Sequence, residues 1–591
     1  MSLFGMEIGK RSIMAQQTAL EVTGHNMANA NTPGYTRQIP NLVTTIPYHT
    51  PALTNSNKAG QLGTGVKVAD IERIRDVFLD QQIRNEAKTA GYWDSIHDAL
   101  AKMEVILNEP SSDGLRAVMD MYWESWQDLT AYPESEAVRS TVAQRGLALA
   151  DAFNHMHKQL TELREDLNAS VEIKVNEINT ITKQISDLNA QILNIQIAGK
   201  QPNDLEDKRD LLLDQLSQII DIKTFTDHNG MVAVQLGGRT LVQGRDYTEL
   251  TTEQDSQGMH LVIWADTKVR ARIESGELRG YLDARGKTNL SQEKDPSEYR
   301  EIVPNLLDDL NKLAETIIKR TNEIHKTGYN LDINAESLNF YEMPTGANIE
   351  WAAIIKVEDA ILNDPMKIAA AEDPTFDPDT GEKINFGDSR IAMAIANLKH
   401  DYNSVGQVAQ SGNLPGLPAT ISNKHINITY DNTVYNLIID GDFDNNQQLA
   451  DAVQAEIDRH RLPITVEMQG DRMVMSSFDK GFESVEWFWG ATSDTAPTSG
   501  SISDATVDDF WRSVCANIGV RSQESVRMLD NQIVLLSELT NKKEAVSGVN
   551  LDEEVINMIK FQHAYNAASR FITTMDEAID VIVNRMGLVG R

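Results

Sequence analysis

From about Leu160 to Ile195, apolar residues recur in alternating steps of three and four, and no other stretch constrains the fold as tightly. Ile178, Ile181, Ile185, Leu188, Ile192 and Ile195 share one stripe of a helix, the pattern of a coiled-coil seam. Upstream, Leu167, Val171 and Val175 stand four apart, a stutter that locally unwinds a strict heptad supercoil. The seam stops at Gly199 and Pro202, and Leu211, Leu212, Leu216 and Ile219 then predict a returning antiparallel helix. A bundle of long helices is the expected result.

The remaining periodicities place β-structure inside this helical frame. At the front, Met6, Ile13, Leu20 and Met27 fall seven apart on a helix that must end at the Asn-rich run before Pro33 and Gly34. Residues 35–70 read as an extended connector with a short strand at Val66-Lys67-Val68, after which Ile71, Ile74 and Phe78 restart a helical stripe that stops at Pro110. Between Ile222 and Asp283 the period becomes two, as in Met231 to Leu236 and Leu261 to Trp264, with Asn229-Gly230 and Gly237-Gly238 as turns. Helical spacing returns through Leu306, Leu310, Leu313 and Ile317. A loop from Gly412 to Pro418 precedes a strand, strand, helix, strand, strand pattern at 426–430, 434–439, 449–457, 464–468 and 473–475, and Ala491 to Ser503 leads out of it. The last hundred residues are helical again.

The expected fold is therefore multidomain and mainly α, with long antiparallel helices, a coiled-coil-like bundle built from both terminal parts, and inserted β and α+β domains. The expected domains are 1–40 with 550–591 as a terminal polymerisation coiled coil, and 41–221 with 284–345 and 503–549 as a helical bundle. A small β-domain at 222–283 and an outer α+β domain at 346–502 complete the set.

Charge and cysteine content narrow the function. Asp and Glu number 87 against 54 Lys and Arg, a net charge of -33 that disfavours nucleic acid and anionic membrane surfaces as partners. The single cysteine, Cys515, allows no internal disulfide or Cys-based zinc site and reads as helix filler. No apolar run approaches the ~18 residues of a membrane span, and the N-terminus has no h-region of a cleaved secretory peptide.

Candidate chemical sites are few, and each has an ordinary reading. Asp440-Gly441-Asp442-Phe443-Asp444 with Asp451 at the twelfth position resembles a calcium loop, but Asn445 stands where such a loop needs Gly, so a solvated turn is expected. Asp377-Pro378-Asp379-Thr380-Gly381 reads as a turn. His155 and His157, two apart on a helix, point in different directions and cannot share a metal ion. Tyr122, Trp126 and Leu129 have the spacing of a bundle plug, and Trp487-Phe488-Trp489 reads as core, with an exposed contact patch as the alternative. No GxxxxGK[ST], HExxH, GxSxG or GxGxxG run occurs. No catalytic, cofactor-binding or metal residues are assigned, and the expectation is a non-enzyme without cofactors.

The ends point to assembly. A helix with one narrow apolar stripe is marginal alone, and burying each large apolar side chain contributes roughly 1.5–3 kcal/mol. The interface expected between subunits is Met6, Ile13, Leu20 and Met27 in front, with Val555, Ile559, Ile572, Met575, Ile579, Ile582 and Met586 behind. Residues 1–35 and 555–591 either order only between subunits or, as periodicity alone allows, complete one intramolecular bundle.

Asn29-Ala30-Asn31-Thr32-Pro33-Gly34-Tyr35-Thr36-Arg37-Gln38 resembles the N-terminal motif of the axial proteins of the bacterial flagellum, and Val549-Asn550-Leu551-Asp552-Glu553-Glu554 with Phe561-Gln562 and Ala564-Tyr565 resembles their C-terminal motif. Within that group, four inner segments resemble the hook-associated protein 1 family of the hook-filament junction. They are Val66-Lys67-Val68 with Ile71, Arg73, Asp76 to Leu79 and Gln82-Ile83-Arg84; Trp126 to Leu129 with Pro133 to Arg139; Asn203 to Leu212; and Asn322-Glu323-Ile324-His325 with Gly328-Tyr329. The resemblance implies an extracellular structural subunit that self-assembles at the distal end of the hook, meets the hook protein below and presents a face to the second junction protein. It also implies unfolded export through the type III apparatus without a cleaved signal peptide, and an export chaperone on the C-terminal helix. The readings set against it are a secreted coiled-coil adhesin and the hook protein itself, the latter disfavoured by the long helical stretch from about 90 to 220.

Overall fold

The computed structural model describes residues 2–47, 63–109, 111, 114–227, 230–287, 300–332, 338–344, 349–377, 382–400, 407–413, 419–430, 433–443, 445–460, 462, 464–469, 472–477, 482–487, 491–494, 496–497 and 506–581. They are mainly helical, with small antiparallel sheets, and the chain divides into two compact units. The first comprises Met1–Asp98, Leu167–Tyr299 and Glu524–Arg591, and the second Ala99–Asp166 and Arg300–Gln523.

The chain opens with α1 (Ser2–Ala28), then an antiparallel pair of β1 (Gln38–Thr44) and β2 (Val66–Arg73). The strand corrects the expectation that Ile71 and Ile74 begin a helix. Val66 to Arg73 alternates, Ile71 pairs with Pro40, and α2 (Val77–Leu107) starts only after Asp76, whose carboxylate accepts the Phe78 and Leu79 amides at 2.9 and 3.2 Å. Next come α3 (Leu115–Ala131), α4 (Glu136–Ile197) and α5 (Asn203–Ile219). The small β-region holds β3 (Ile222–Thr226), β4 (Val232–Leu236), β5 (Arg239–Gln243), β6 (Asp246–Tyr247), β7 (Leu250–Gln254) and β8 (His260–Trp264). Beyond it lie α6 (Glu277–Arg285), α7 (Ile302–Thr327) and the short α8 (Trp351–Ile354), α9 (Asp359–Asn363) and α10 (Arg390–Asn397). The insertion has β9 (Gln407–Asn413), β10 (Ala419–Tyr430), β11 (Thr433–Phe443), α11 (Asn446–Arg459), β12 (Thr465–Gln469), β13 (Arg472–Ser477), β14 (Phe482–Trp487), β15 (Ala491–Asp494) and β16 (Ala496–Pro497). Two long helices, α12 (Val507–Ser547) and α13 (Leu551–Asp580), end the chain.

In the first unit the α4 seam is real, but its cover is not another long helix. Val171, Val175, Ile178, Ile181 and Ile185 share one core with Leu213, Leu216 and Ile219 of α5, with Val232, Val234, Leu236, Leu241, Val242, Val262 and Trp264 of the sheets, and with Leu278 and Leu282 of α6. A sheet face can bury a helical stripe as well as a second helix can, because both present apolar side chains on one side. Polar groups fix the contact. The fully buried Asn189 donates to the carbonyls of Val232 and Gly244, each at 2.9 Å, and accepts the Val232 amide at 3.1 Å.

The second unit is organised by aromatics. Tyr122, Trp126 and Leu129 are fully buried, as their spacing predicts, and Trp126 lies with its ring centre 5.3 Å from that of Phe340. In the insertion, sheets of order β11-β10-β14-β15 and β12-β13-β9-β16, together with α11, enclose Ile426, Ile428, Leu437, Leu449, Val453, Met473 and Met475. Gly412 belongs to β9 and Ala491 to β15, which corrects their reading as loop and exit segment. Asp440 and Asp442 lie in β11, Phe443 is buried, and Asn445 caps α11 by accepting the Gln448 amide at 2.9 Å, so this fragment is a strand end and a helix cap rather than a free turn. No group of three metal-ligating side chains occurs among the described residues. Trp487 is buried, whereas Phe488, Trp489, Asp444 and the stretch Pro378 to Gly381 lie outside the described residues. His155 is exposed, and His157 is buried 3.4 Å from Glu350. Burial pushes the Cys515 thiol up to about 12, which suits packing and not nucleophilic attack.

Asn189→Ala is expected to lower the stability of the first unit by about 2–4 kcal/mol, since the Val232 amide and two carbonyls lose their partner inside a dry core. Denaturant unfolding followed by Trp264 fluorescence measures it.

Candidate assembly site at the joined chain ends

The two chain ends meet within one unit, and small residues let them. α1 turns Gly5, Gly9, Ala15, Ala19, Val22, Thr23 and Asn26 inward as its buried face. A β-carbon at Gly5 would lie 2.9 Å from Met575 Sδ, and one at Gly9 would lie 2.5 Å from Ile572 Cγ1. Glycine at both positions therefore permits the close approach of α13.

At the far end of this contact sits a buried polar latch. Asn26, 1% exposed, donates to the Gln38 carbonyl at 2.8 Å and to Glu554 Oε2 at 3.2 Å. Its Oδ1 accepts from Tyr35 Oη at 2.8 Å and from the Gln38 amide at 3.0 Å, so the side chain's bonding capacity is filled. Arg37 donates from Nε to Glu554 Oε1 and from Nη1 to Glu553 Oε2, both at 2.8 Å, and its amide donates to the Ser547 carbonyl at 2.9 Å. Asn550 caps α13 by accepting the amides of Asp552 and Glu553, which presents both carboxylates on the first turn. Burial, with the charges of Asp204, Asp207 and Glu554, holds the Tyr35 phenol well above its ordinary pKa, so it remains a donor.

α5 ties this latch to the hairpin. Asp207 accepts the Thr36 amide at 2.9 Å, Asp204 accepts Gln38 Nε2 at 2.9 Å, and Asn203 donates to Gln38 Oε1 at 3.1 Å and to the Ile71 carbonyl at 2.9 Å. Arg73 pairs with Glu206, Asp207 and Asp210 at 2.6, 2.7 and 3.0 Å. Arg75 bridges Asp210 and Asp80, Arg84 pairs with Asp214 at 2.7 Å, and Lys543 of α12 reaches Asp80 and Asp214 at 3.0 and 3.2 Å. Burial opposes ionisation of Asp80, yet Arg75 and then Lys543 hold its pKa below the usual carboxylate value.

The residues expected at the interface divide. Met6, Ile13, Leu20 and Met27 are half-buried flanks of the α1 face, beside Gly5, two positions from Ala15, beside Ala19 and beside Asn26 respectively. Ile572, Met575 and Ile579 are half-buried, the first two against Gly9 and Gly5, while Val555 and Ile559 are 41% and 49% exposed. Ile582 and Met586 lie outside the described residues. Periodicity overlooked Asn26, Arg37 and Glu554 because a polar contact leaves no stripe, although the spacing of Gly5 with Gly9 and of Ala15 with Ala19 was readable. α1 and α13 are formed and packed on each other in a single chain, as in the intramolecular alternative to order only between subunits.

Arg37→Ala is expected to cost about 3–5 kcal/mol, because Glu554 keeps a buried charge without its cation. Limited proteolysis should then cut between Ser547 and Glu554 faster than in the parent chain, and Arg37→Glu with Glu554→Arg should restore much of the protection.

The assignment by comparison follows the same geometry. A model of the flagella basal body rod protein matches residues 6–36, one of the flagellar hook-associated protein FlgK helical domain matches 100–341, and one of the flagellar basal body rod FlgEFG protein C-terminus matches 545–586. The flagellar hook-associated protein 1 of Bacillus subtilis (strain 168) is 29% identical over 100% of this chain and 99% of its own length. That of Escherichia coli (strain K12) is 23% identical over 96% of this chain and 97% of its own. A solved flagellar hook junction protein from Burkholderia pseudomallei, 13% identical, aligns with 79% of this chain and 100% of its own at a TM-score of 0.46. With rod-type motifs at both ends, a hook-associated helical body between them and similarity along its whole length, the chain is similar throughout to the flagellar hook-associated protein 1 family.

Proposed function

We propose that this chain is the structural subunit that joins hook to filament in the bacterial flagellum. It assembles with copies of itself at the distal end of the hook through 1–40 and 550–591 and offers a face to the second junction protein. One observation carries the reading. From Glu524 to Val581, only Ser525, Ser547, Glu554 and Ala568 are buried among the described residues. Val526, Ile533, Val534, Leu535, Val546, Leu551, Val555, Ile556, Ile559, Phe571 and Val581 are exposed instead. Each such side chain contributes roughly 1.5–3 kcal/mol when covered, and this many exposed large apolar side chains suit a partner interface. Packing against further copies supplies the cover, and association then stabilises the helices by mass action.

Before assembly, the C-terminal segment would be shielded by an export chaperone, with Val555, Ile559, Ile572, Met575, Ile579, Ile582 and Met586 as its footprint. Passage through the type III apparatus fits a chain whose ends must fold on arrival. No described helix is long and apolar enough to cross a membrane. The curated relatives carry structural names, in keeping with a non-enzymatic part, and the hook protein is the neighbour below.

Val555→Asp with Ile559→Asp tests this directly. Both sites are exposed, so the chain alone should keep its stability within about 0.5 kcal/mol, yet incorporation at hook ends should fall to background in electron micrographs. Normal incorporation of the double variant would falsify the reading, as would survival of incorporation after deletion of the last forty residues.

A further inference from the structure

One segment singled out in the sequence takes no part in the assembly site. Asn322-Glu323-Ile324-His325 and Gly328-Tyr329 close the C-terminal end of α7, where they grip a strap made of two short segments, Leu338 to Tyr341 and Ala369 to Ala371. Asn322 accepts the amides of Phe340 and Tyr341 at 2.9 and 2.8 Å and donates to the Tyr341 carbonyl at 2.8 Å. Tyr329 donates its amide to the Ala371 carbonyl at 2.7 Å. Between them lies His325, 1% exposed, with Nδ1 2.7 Å from the Leu338 carbonyl and Nε2 2.8 Å from the Ala369 amide.

These partners fix the ring's state. A carbonyl can only accept and an amide can only donate, so Nδ1 carries the hydrogen and Nε2 must be bare. A second proton would set an N–H against the Ala369 N–H and place a cation in a dry pocket. The groups around it offer no compensation. α3 contributes the rings of Trp126 and Tyr122, and the strap contributes Phe340 and Tyr341. α4 contributes the buried guanidinium of Arg139, which donates to the carbonyls of Pro133 and Ile368. The charged residue of α10, Arg390, is engaged with Glu372, Asp373 and Asp388. On α7 itself, Lys326 pairs with Asp458 and Arg320 lies 3.9 Å from Glu323.

We propose that His325 is an acid-sensitive switch: while its ring is neutral it holds the two strap segments, Leu338 to Tyr341 and Ala369 to Ala371, on α7, and its protonation releases them. Burial first, and then the Arg139 charge, lower the pKa of the clamped ring from 6.5 to about 4, against a smaller opposing effect of the Leu338 carbonyl. The released ring takes up a proton near 6.5, so the closed state keeps its full advantage above that pH. The advantage is lost as pH falls towards about 4, by roughly 300-fold over the whole interval. This window lies above most of the range in which ordinary carboxylates titrate.

Hydrogen exchange of the full chain, corrected for intrinsic rates, tests the switch at the Phe340, Tyr341, Ala369 and Ala371 amides. Protection should drop about 15-fold from pH 6.5 to pH 5. In His325→Gln, whose amide can both donate and accept without titrating, that drop should vanish, and in His157→Gln it should persist. Unchanged protection in the parent chain, or an equal drop in His325→Gln, overturns the proposal. Should that variant not fold, the carbon shifts of the parent's His325 ring decide. A ring that stays neutral to pH 5 wherever the strap amides are protected supports the switch, and a ring that titrates near 6.5 with those amides still protected refutes it.

Discussion

The carboxylate of Glu554 is 2% exposed, and its charge is answered by a guanidinium 517 residues away in the chain. A lone charge in that position would cost several kcal/mol, so Arg37 and Asn26 must accompany it wherever α13 goes. Arg37 is in turn not free to move. Its neighbours Thr36 and Gln38 are held by Asp207, Asp204 and Asn203 at the start of α5, and the same helix collects Arg73, Arg75 and Arg84 from the hairpin and α2. Through Lys543 the network also reaches α12. The join between the chain ends is thus set by charge and hydrogen bonding, which permit one register, and less by apolar contact, which tolerates several.

This arrangement explains why so much apolar surface remains uncovered. α1 spends its inward face on glycine and alanine, so α13 can come close while burying little hydrocarbon, and the larger side chains of both helices stay at the flanks or outside. The second unit does the opposite. There Tyr122, Trp126, Phe340 and Trp511 are turned inward and nearly all of their area is removed from water. A unit closed in this way is complete alone, whereas the long terminal helices become stable in proportion to what packs around them.

The sequence was informative wherever a single element carried its own periodicity. The α4 seam, the return at α5, the period-two interruption after Ile222 and the alternation of strands and helix around α11 are all present in the structure, because each follows from the local rule that apolar residues line one face. The misplacement of Ile71 and Ile74 shows the limit of that rule. A short run with mixed spacing fits a strand or a helix, and pairing with β1 chose the strand.

By itself the sequence determined the element types, the helical frame with its β insertions, and the family motifs at both ends. What covers each face was decided only by the tertiary structure. The α4 seam is sheathed by α5, α6 and two small sheets, and the hairpin, α5 and both chain ends converge on one buried network. The physical reason is that periodicity records how a residue sits on its own helix or strand, while an ion pair such as Arg37 with Glu554 depends on two backbones brought together by everything between them.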